Sequence, residues 1–109
     1  AQVPDGPVDV IPQPGPGQTV AWTMCYDEHG ATETGVVIQI KLVQPAGAGL
    51  ALDGAVIEAV SDGDGLAAAA IPRGAGLRFA ARRGTVGPWT PFGGVDADTL
   101  ALPALRGTP

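Results

Sequence analysis

The chain is poor in the residues that most often carry chemistry. Among 109 residues it has one cysteine, one histidine and one lysine. A single cysteine excludes an internal disulfide and a cysteine-built zinc site. A single histidine leaves no second imidazole for a histidine-based metal set. Aromatic residues are also scarce, with two Trp, one Tyr and two Phe, so the core has first claim on each. Long apolar runs are missing: the longest, Leu66 to Ile71, is six residues, against the ~20 that a membrane-spanning helix needs. No basic segment followed by an apolar run opens the sequence, so no signal peptide is expected. Basic runs are absent and the net charge is -5, which sets electrostatics against a polyanionic partner. The expected partners therefore include neither nucleic acid nor membrane.

What is present points to short strands and many turns. Gly 17 and Pro 11 interrupt the chain every few residues, and the alanines fall in no helical pattern. Leu, Ile, Val and Phe nevertheless make up 26 of 109 residues, above the ~20% below which chains tend to remain disordered. The length fits one domain.

Residues 1–17 read AQVPDGPVDVIPQPGPG, with five prolines. Proline fixes φ and removes a hydrogen-bond donor, which predicts an extended arm rather than part of a sheet. From Gln18 to the end the pattern is that of a sandwich domain over 18–109. In QTVAWTMCY, Val20, Trp22, Met24 and Tyr26 share one face and Ala21, Thr23 and Cys25 the other. A polar loop, Asp27 to Thr34, follows. The segment GVVIQIKLVQP places Val36, Ile38, Ile40 and Leu42 inward and Gln39 and Lys41 outward. A third strand near Gly54 to Ser61 sets Ala55, Ile57 and Ala59 against Val56, Glu58 and Val60. Asp62-Gly63-Asp64-Gly65 reads as a hairpin turn, since glycine takes positive φ without penalty. Leu66 to Ile71 returns, and Gly76 to Arg83 alternates Leu77, Phe79 and Ala81 with Arg78, Ala80 and Arg82. Pro88 to Phe92 and Thr99 to Leu102 supply two short final strands. Seven strands with turns at this spacing predict an all-β, antiparallel sandwich of immunoglobulin-like or transthyretin-like type. The predicted core is Val20, Trp22, Ile38, Ile40, Val56, Ile57, Leu77 and Phe79.

Charge is unevenly spread. Residues 1–64 carry nine acids and one base, and residues 65–109 carry five arginines and two acids. Pairing inside the domain accounts for this most simply. The sharper reading is a protomer with one acidic and one basic face, suited to head-to-tail contacts in a ring or shell.

The stretch GVVIQIKLVQP…LDGAVIEAVSDGDGLAAAAIPRGAGLRFAARRG resembles the transthyretin-like, carboxypeptidase-regulatory-like sandwich family. The matching elements are Gly54 to Ile57, Ser61 to Gly65 and Arg73-Gly74. The segment Asp96, Asp98, Thr99, Leu102, Pro103 is similar to the tail of small virion proteins of tailed bacteriophages. The first resemblance implies the fold. The second implies a structural role in a particle assembled in the host cytoplasm.

Candidate chemistry weighs lightly. Cys25, Asp27 and His29 are close in sequence, but a thiol needs a base set beside it, and His29 lies past the strand's end. The Asp62-Gly63-Asp64-Gly65 turn resembles half of a calcium loop without its distal bidentate Glu. Turn chemistry explains it, although Asp96 and Asp98 could in principle join Asp62 and Asp64 from another loop. Trp89, between Pro88 and Pro91, is the aromatic best placed to anchor an interface. No catalytic residue, cofactor or metal is expected. The expected function is that of a non-enzymatic virion protein (capsid decoration or cement, neck or tail) whose partners are its own copies or other virion proteins. The expected contact residues are Val8, Val10, Ile11, Arg78, Arg82, Arg83 and Trp89. The alternative is a carbohydrate- or peptide-binding accessory module of a secreted protein.

Overall fold

The computed structural model describes residues 13–44 and 55–105. These form seven strands: β1 (Gln18–Met24), β2 (Val37–Gln44), β3 (Val56–Val60), β4 (Leu66–Pro72), β5 (Arg78–Arg83), β6 (Thr90–Gly93) and β7 (Thr99–Ala101). No helix occurs among the described residues. The strands make a three-stranded sheet, β4-β1-β7, and a four-stranded sheet, β3-β2-β5-β6, which is the expected all-β sandwich. One ladder departs from the antiparallel rule: β1 runs parallel to β7, with Val20 opposite Thr99 and Trp22 opposite Ala101. Of the proposed Pro-rich arm, residues 1–12 lie outside the described residues. Its last part turns into β1, where the Gln18 backbone N–H donates to the Gly15 carbonyl at 3.1 Å.

The two sheets meet through the inward halves of their strands. Ala21 and Cys25, then Ala67 and Ile71, face Ile38, Ile40, Leu42, Ala59, Phe79 and Ala81. Alanines on the facing surfaces let the larger Ile and Phe side chains fill the space between layers. Phe79 stacks on Phe92 with centroids 5.4 Å apart, a geometry that adds to the burial of both rings. β1 is the central strand of its sheet, so Thr19, Val20 and Ala21 are all buried. Its outer face carries a second apolar cluster in which Val20 and Leu66 pack with Trp22, Met24 and Ala68.

Three sequence expectations need correction. Trp22 lies on the outer face of the three-stranded sheet and is only half-buried, whereas Val20 on the same face is buried as expected. Both faces of β1 are apolar, so alternation alone does not say which one meets the other sheet. Val56 is 47% exposed because it sits on the outer face of an edge strand, while Ile57 packs inward. The turn at 62–65 is not a hairpin: β3 pairs with β2 and β4 with β1, so the chain crosses there from one sheet to the other. Asp62 builds this crossing by accepting hydrogen bonds from the N–H groups of Asp64 (2.9 Å) and Leu66 (3.0 Å), an Asx turn in place of a strand ladder.

Two buried hydroxyls fix the ends of the sandwich. Thr19 Oγ1 donates to the Ala97 carbonyl at 2.6 Å and ties the β6–β7 loop to β1. Ser61 Oγ donates to the Glu33 carbonyl at 2.6 Å and accepts from the Val36 N–H at 2.9 Å, holding the β1–β2 loop against the end of β3. Both satisfy backbone groups that would otherwise be costly to bury.

Candidate functional site

Strand order decides which side chains share a surface, and three surfaces result. The first is the outer face of β3-β2-β5-β6. Here Gln39 lies opposite both Glu58 and Arg82, and Lys41 opposite Ala80. Gln39 Nε2 donates to Glu58 Oε2 at 2.7 Å, and Arg82 Nε donates to Gln39 Oε1 at 2.8 Å. The Trp89 ring lies across this face with Lys41 Nζ 4.2 Å and the Arg82 guanidinium carbon 4.3 Å from its centroid. Both are within the range of cation–π attraction. Arg78 is exposed on the same face. Among the described residues no carboxylate forms an ion pair with Lys41, Arg78 or Arg82. Exposed Val56 and Val60 lie along its β3 edge, and exposed Val43 marks a bulge in β2.

The second surface is the end formed by the β1–β2 loop and the β3–β4 turn. The Cys25 N–H donates to the Gly65 carbonyl at 2.7 Å, so the two segments lie side by side. Among the described residues this brings together Asp27, Glu28, Glu33, Asp62 and Asp64 with one Arg or Lys, Arg83. Arg83 Nη2 lies 2.9 Å from Glu33 Oε1 and also donates to the Tyr26 carbonyl at 3.2 Å. Tyr26 itself is 51% exposed. Asp27 Oδ1 accepts from the His29 and Ala31 N–H groups, so its carboxylate shapes the loop rather than serving His29 as a base. Cys25 is buried, and burial pushes its thiol pKa up, with Arg83 and a Ser61 hydrogen bond pulling in the opposite direction. That is the reverse of what activates a nucleophilic cysteine. A cleft of about 340 Å³ opens beside Cys25, Ile38, Arg83 and Leu105, but its one charged group among the described residues is already paired with Glu33.

The third surface is the outer face of β4-β1-β7. Trp22 lies opposite Ala68, Met24 opposite Leu66, and Val20 opposite Ala70. Ala101 continues the row on β7. None of these residues is charged. Beyond one end of this sheet, Arg73 Nε and Nη1 bind Asp96 at 2.8 Å and Asp98 at 2.9 Å.

The residues singled out in the sequence are thus divided. Arg78, Arg82 and Trp89 share one face, whereas Arg83 belongs to the acidic end and is paired there. Val8, Val10 and Ile11 lie outside the described residues. Asp62 and Asp64 stand at one end of β4 and Asp96 and Asp98 near the other, about 20 Å away along a seven-residue strand. Among the described residues no three His, Cys, Asp or Glu side chains gather in a way that could hold a metal ion. The sequence alone does not join Lys41 to Trp89, or Gln39 to Arg82, because no short-range signal links positions 39, 41, 82 and 89. In comparisons with known proteins, the chain matches no family model, no curated protein and no solved structure.

Proposed function

We propose that the chain is a non-enzymatic structural protein of a tailed-phage virion, acting through protein–protein contacts as a capsid-decoration, neck or tail-attached component. The observation that carries this reading is the uncharged outer face of β4-β1-β7, where half-buried Trp22, Met24 and Ala68 and exposed Ala70 lie with buried Val20 and Leu66. A sheet needs one apolar face to build its core, and a second one favours contact with another protein. The resemblance of Asp96, Asp98, Thr99, Leu102 and Pro103 to the tail of small virion proteins gives the setting.

A sugar- or peptide-binding module draws less support. Trp22 and Trp89 lie on opposite outer faces of the sandwich, so they cannot form one stacking platform. Trp22 packs on its own sheet, and Trp89 is engaged by Lys41 and Arg82.

The test is mass spectrometry of phage particles purified by density gradient from the producing host. The chain should band with the particles in fixed ratio to the major shell protein. Recovery only from the particle-free fraction overturns the proposal.

A further inference from the structure

The outer face of the four-stranded sheet has the makeup of an interface rather than of a solvated surface. Exposed strand faces ordinarily mix charges of both signs. Here, among the described residues, Lys41, Arg78 and Arg82 stand with a single carboxylate, Glu58, whose Oε2 is already held by Gln39. Two of the cations lie over the Trp89 ring. Three of the five large hydrophobic residues exposed among the described residues, Val43, Val56 and Val60, belong to the strands of this sheet. Arg and Trp set among exposed apolar groups are the side chains that dominate binding energy at protein interfaces.

The complement is on the same molecule. At the end built by the β1–β2 loop and the β3–β4 turn, Glu28, Asp62 and Asp64 are exposed, with Asp27 beside them. Among the described residues only Arg83 offsets them, and it is committed to Glu33. Tyr26 protrudes from this end and offers an amphipathic ring at little entropic cost. The end and the face are different surfaces, so the acidic end cannot reach the basic face of its own chain. It can reach that of another copy.

We infer that the chain associates head to tail, with the Tyr26, Glu28 and Asp64 end of one copy seated on the Lys41, Arg78 and Trp89 face of the next. This rests on the reading of the chain as an assembly protein and names its partner as a second copy of itself. Such a contact is heterologous: each copy keeps one free end and one free face, so association continues to a ring or an open row rather than stopping at a dimer. Charge complementarity sets the register, and the exposed valines and two aromatic rings add the apolar contact area. Because each copy carries -5 overall, long-range repulsion opposes the contact at very low salt. Association is therefore strongest near 0.1 M salt, where the Debye length of about 10 Å leaves only near-contact attraction, and is lost near 1 M, where it is about 3 Å.

The experiment is sedimentation of the purified chain at concentrations up to about 1 mM, the weak end of the affinity scale. The wild type should exceed the monomer mass at the intermediate salt and fall to it at the high salt. A Lys41→Glu/Arg78→Glu variant makes both surfaces acidic, and a Glu28→Lys/Asp64→Lys variant removes the net negative charge of the end. Each alone should remain monomeric while keeping the wild-type β-sheet circular dichroism and cooperative melting. Neither the Glu28 nor the Asp64 carboxylate makes a hydrogen bond or ion pair among the described residues, so the second variant leaves the fold's own contacts in place. Mixed in equal amounts, the two variants should associate again, since the unchanged acidic end of the first then meets the unchanged basic face of the second. A wild type that is monomeric at every salt, variants that associate as the wild type does, or a mixture that stays monomeric would each overturn the inference. A chain found in particles yet monomeric on its own would remove this contact and leave the virion reading standing. A chain that assembles but is absent from particles would do the reverse.

Discussion

Gly65 lies so close to Thr32 that a Cβ added to it would come within 2.8 Å of the Thr32 Cβ and 3.0 Å of the Cys25 carbonyl oxygen. Its φ of +83° also belongs to the left-handed region, so the position excludes a side chain on two independent grounds. The crossing between sheets and the seating of the β1–β2 loop meet at this one residue.

Replacing Gly65 with Ala should destabilise the fold by about 1–3 kcal/mol from backbone strain, with a further cost from displacing the Thr32 loop. The neighbouring Gly63 has open space around it and no positive φ, so Gly63→Ala is expected to be near neutral. Thermal melts of the two variants check the contrast. Equal melting temperatures would mean that the loop yields without cost.

Ile40 is fully buried between the sheets, and its truncation to Ala should cost about 2–5 kcal/mol. That is a large part of the 5–15 kcal/mol typical of whole domains. Val56→Ala, made on the outer face of edge strand β3, should change stability by less than about 0.5 kcal/mol. Urea denaturation of the pair measures both, and a similar loss from each would mean that β3 is covered rather than exposed.

The Cys25 thiol gives stability a pH dependence on the alkaline side. Its pKa is raised in the folded chain, chiefly by burial. As pH climbs past the ordinary value of about 9.0, the unfolded thiol ionises while the folded one keeps its proton. The unfolded state then binds fewer protons, so this contribution is intact below that pH and is lost as pH rises toward the folded pKa. Melting temperatures followed from pH 7 to pH 10.5 should decline above about pH 9, and less steeply for Cys25→Ala. Parallel curves would assign the decline to other groups.

Much of the fold was legible in the sequence, and the limits of that legibility have physical causes. β2 was clear because Ile38, Ile40 and Leu42 alternate with Gln39 and Lys41, so only one assignment of faces buries no charge. β1 was not, because Val20, Trp22 and Met24 compete with Ala21 and Cys25 and both sets are apolar. Asp62 to Gly65 announced a turn correctly, but turn chemistry fixes local φ and ψ and says nothing about which strand becomes the neighbour. The surface around Trp89 was half visible: the ring and its arginines stood out, whereas Lys41 and Gln39 joined them only through the β2–β5 register.

The placement of β1 also governs how the chain reaches this fold. β2 and β3 are neighbours in both sequence and space, but β1 must wait for β4 on one side and for the much more distant β7 on the other. Pairing across such separations is slow because the loop-closure entropy is lost before the contacts form. During that wait the segment from Gln18 to Tyr26 carries no charge, is apolar on both faces and has neither ladder in place. Such a segment is prone to pair with its like on another chain. The strand at the centre of the finished sheet is therefore the main aggregation liability of the unfinished one, and production at low temperature or with a holding chaperone should raise the soluble yield.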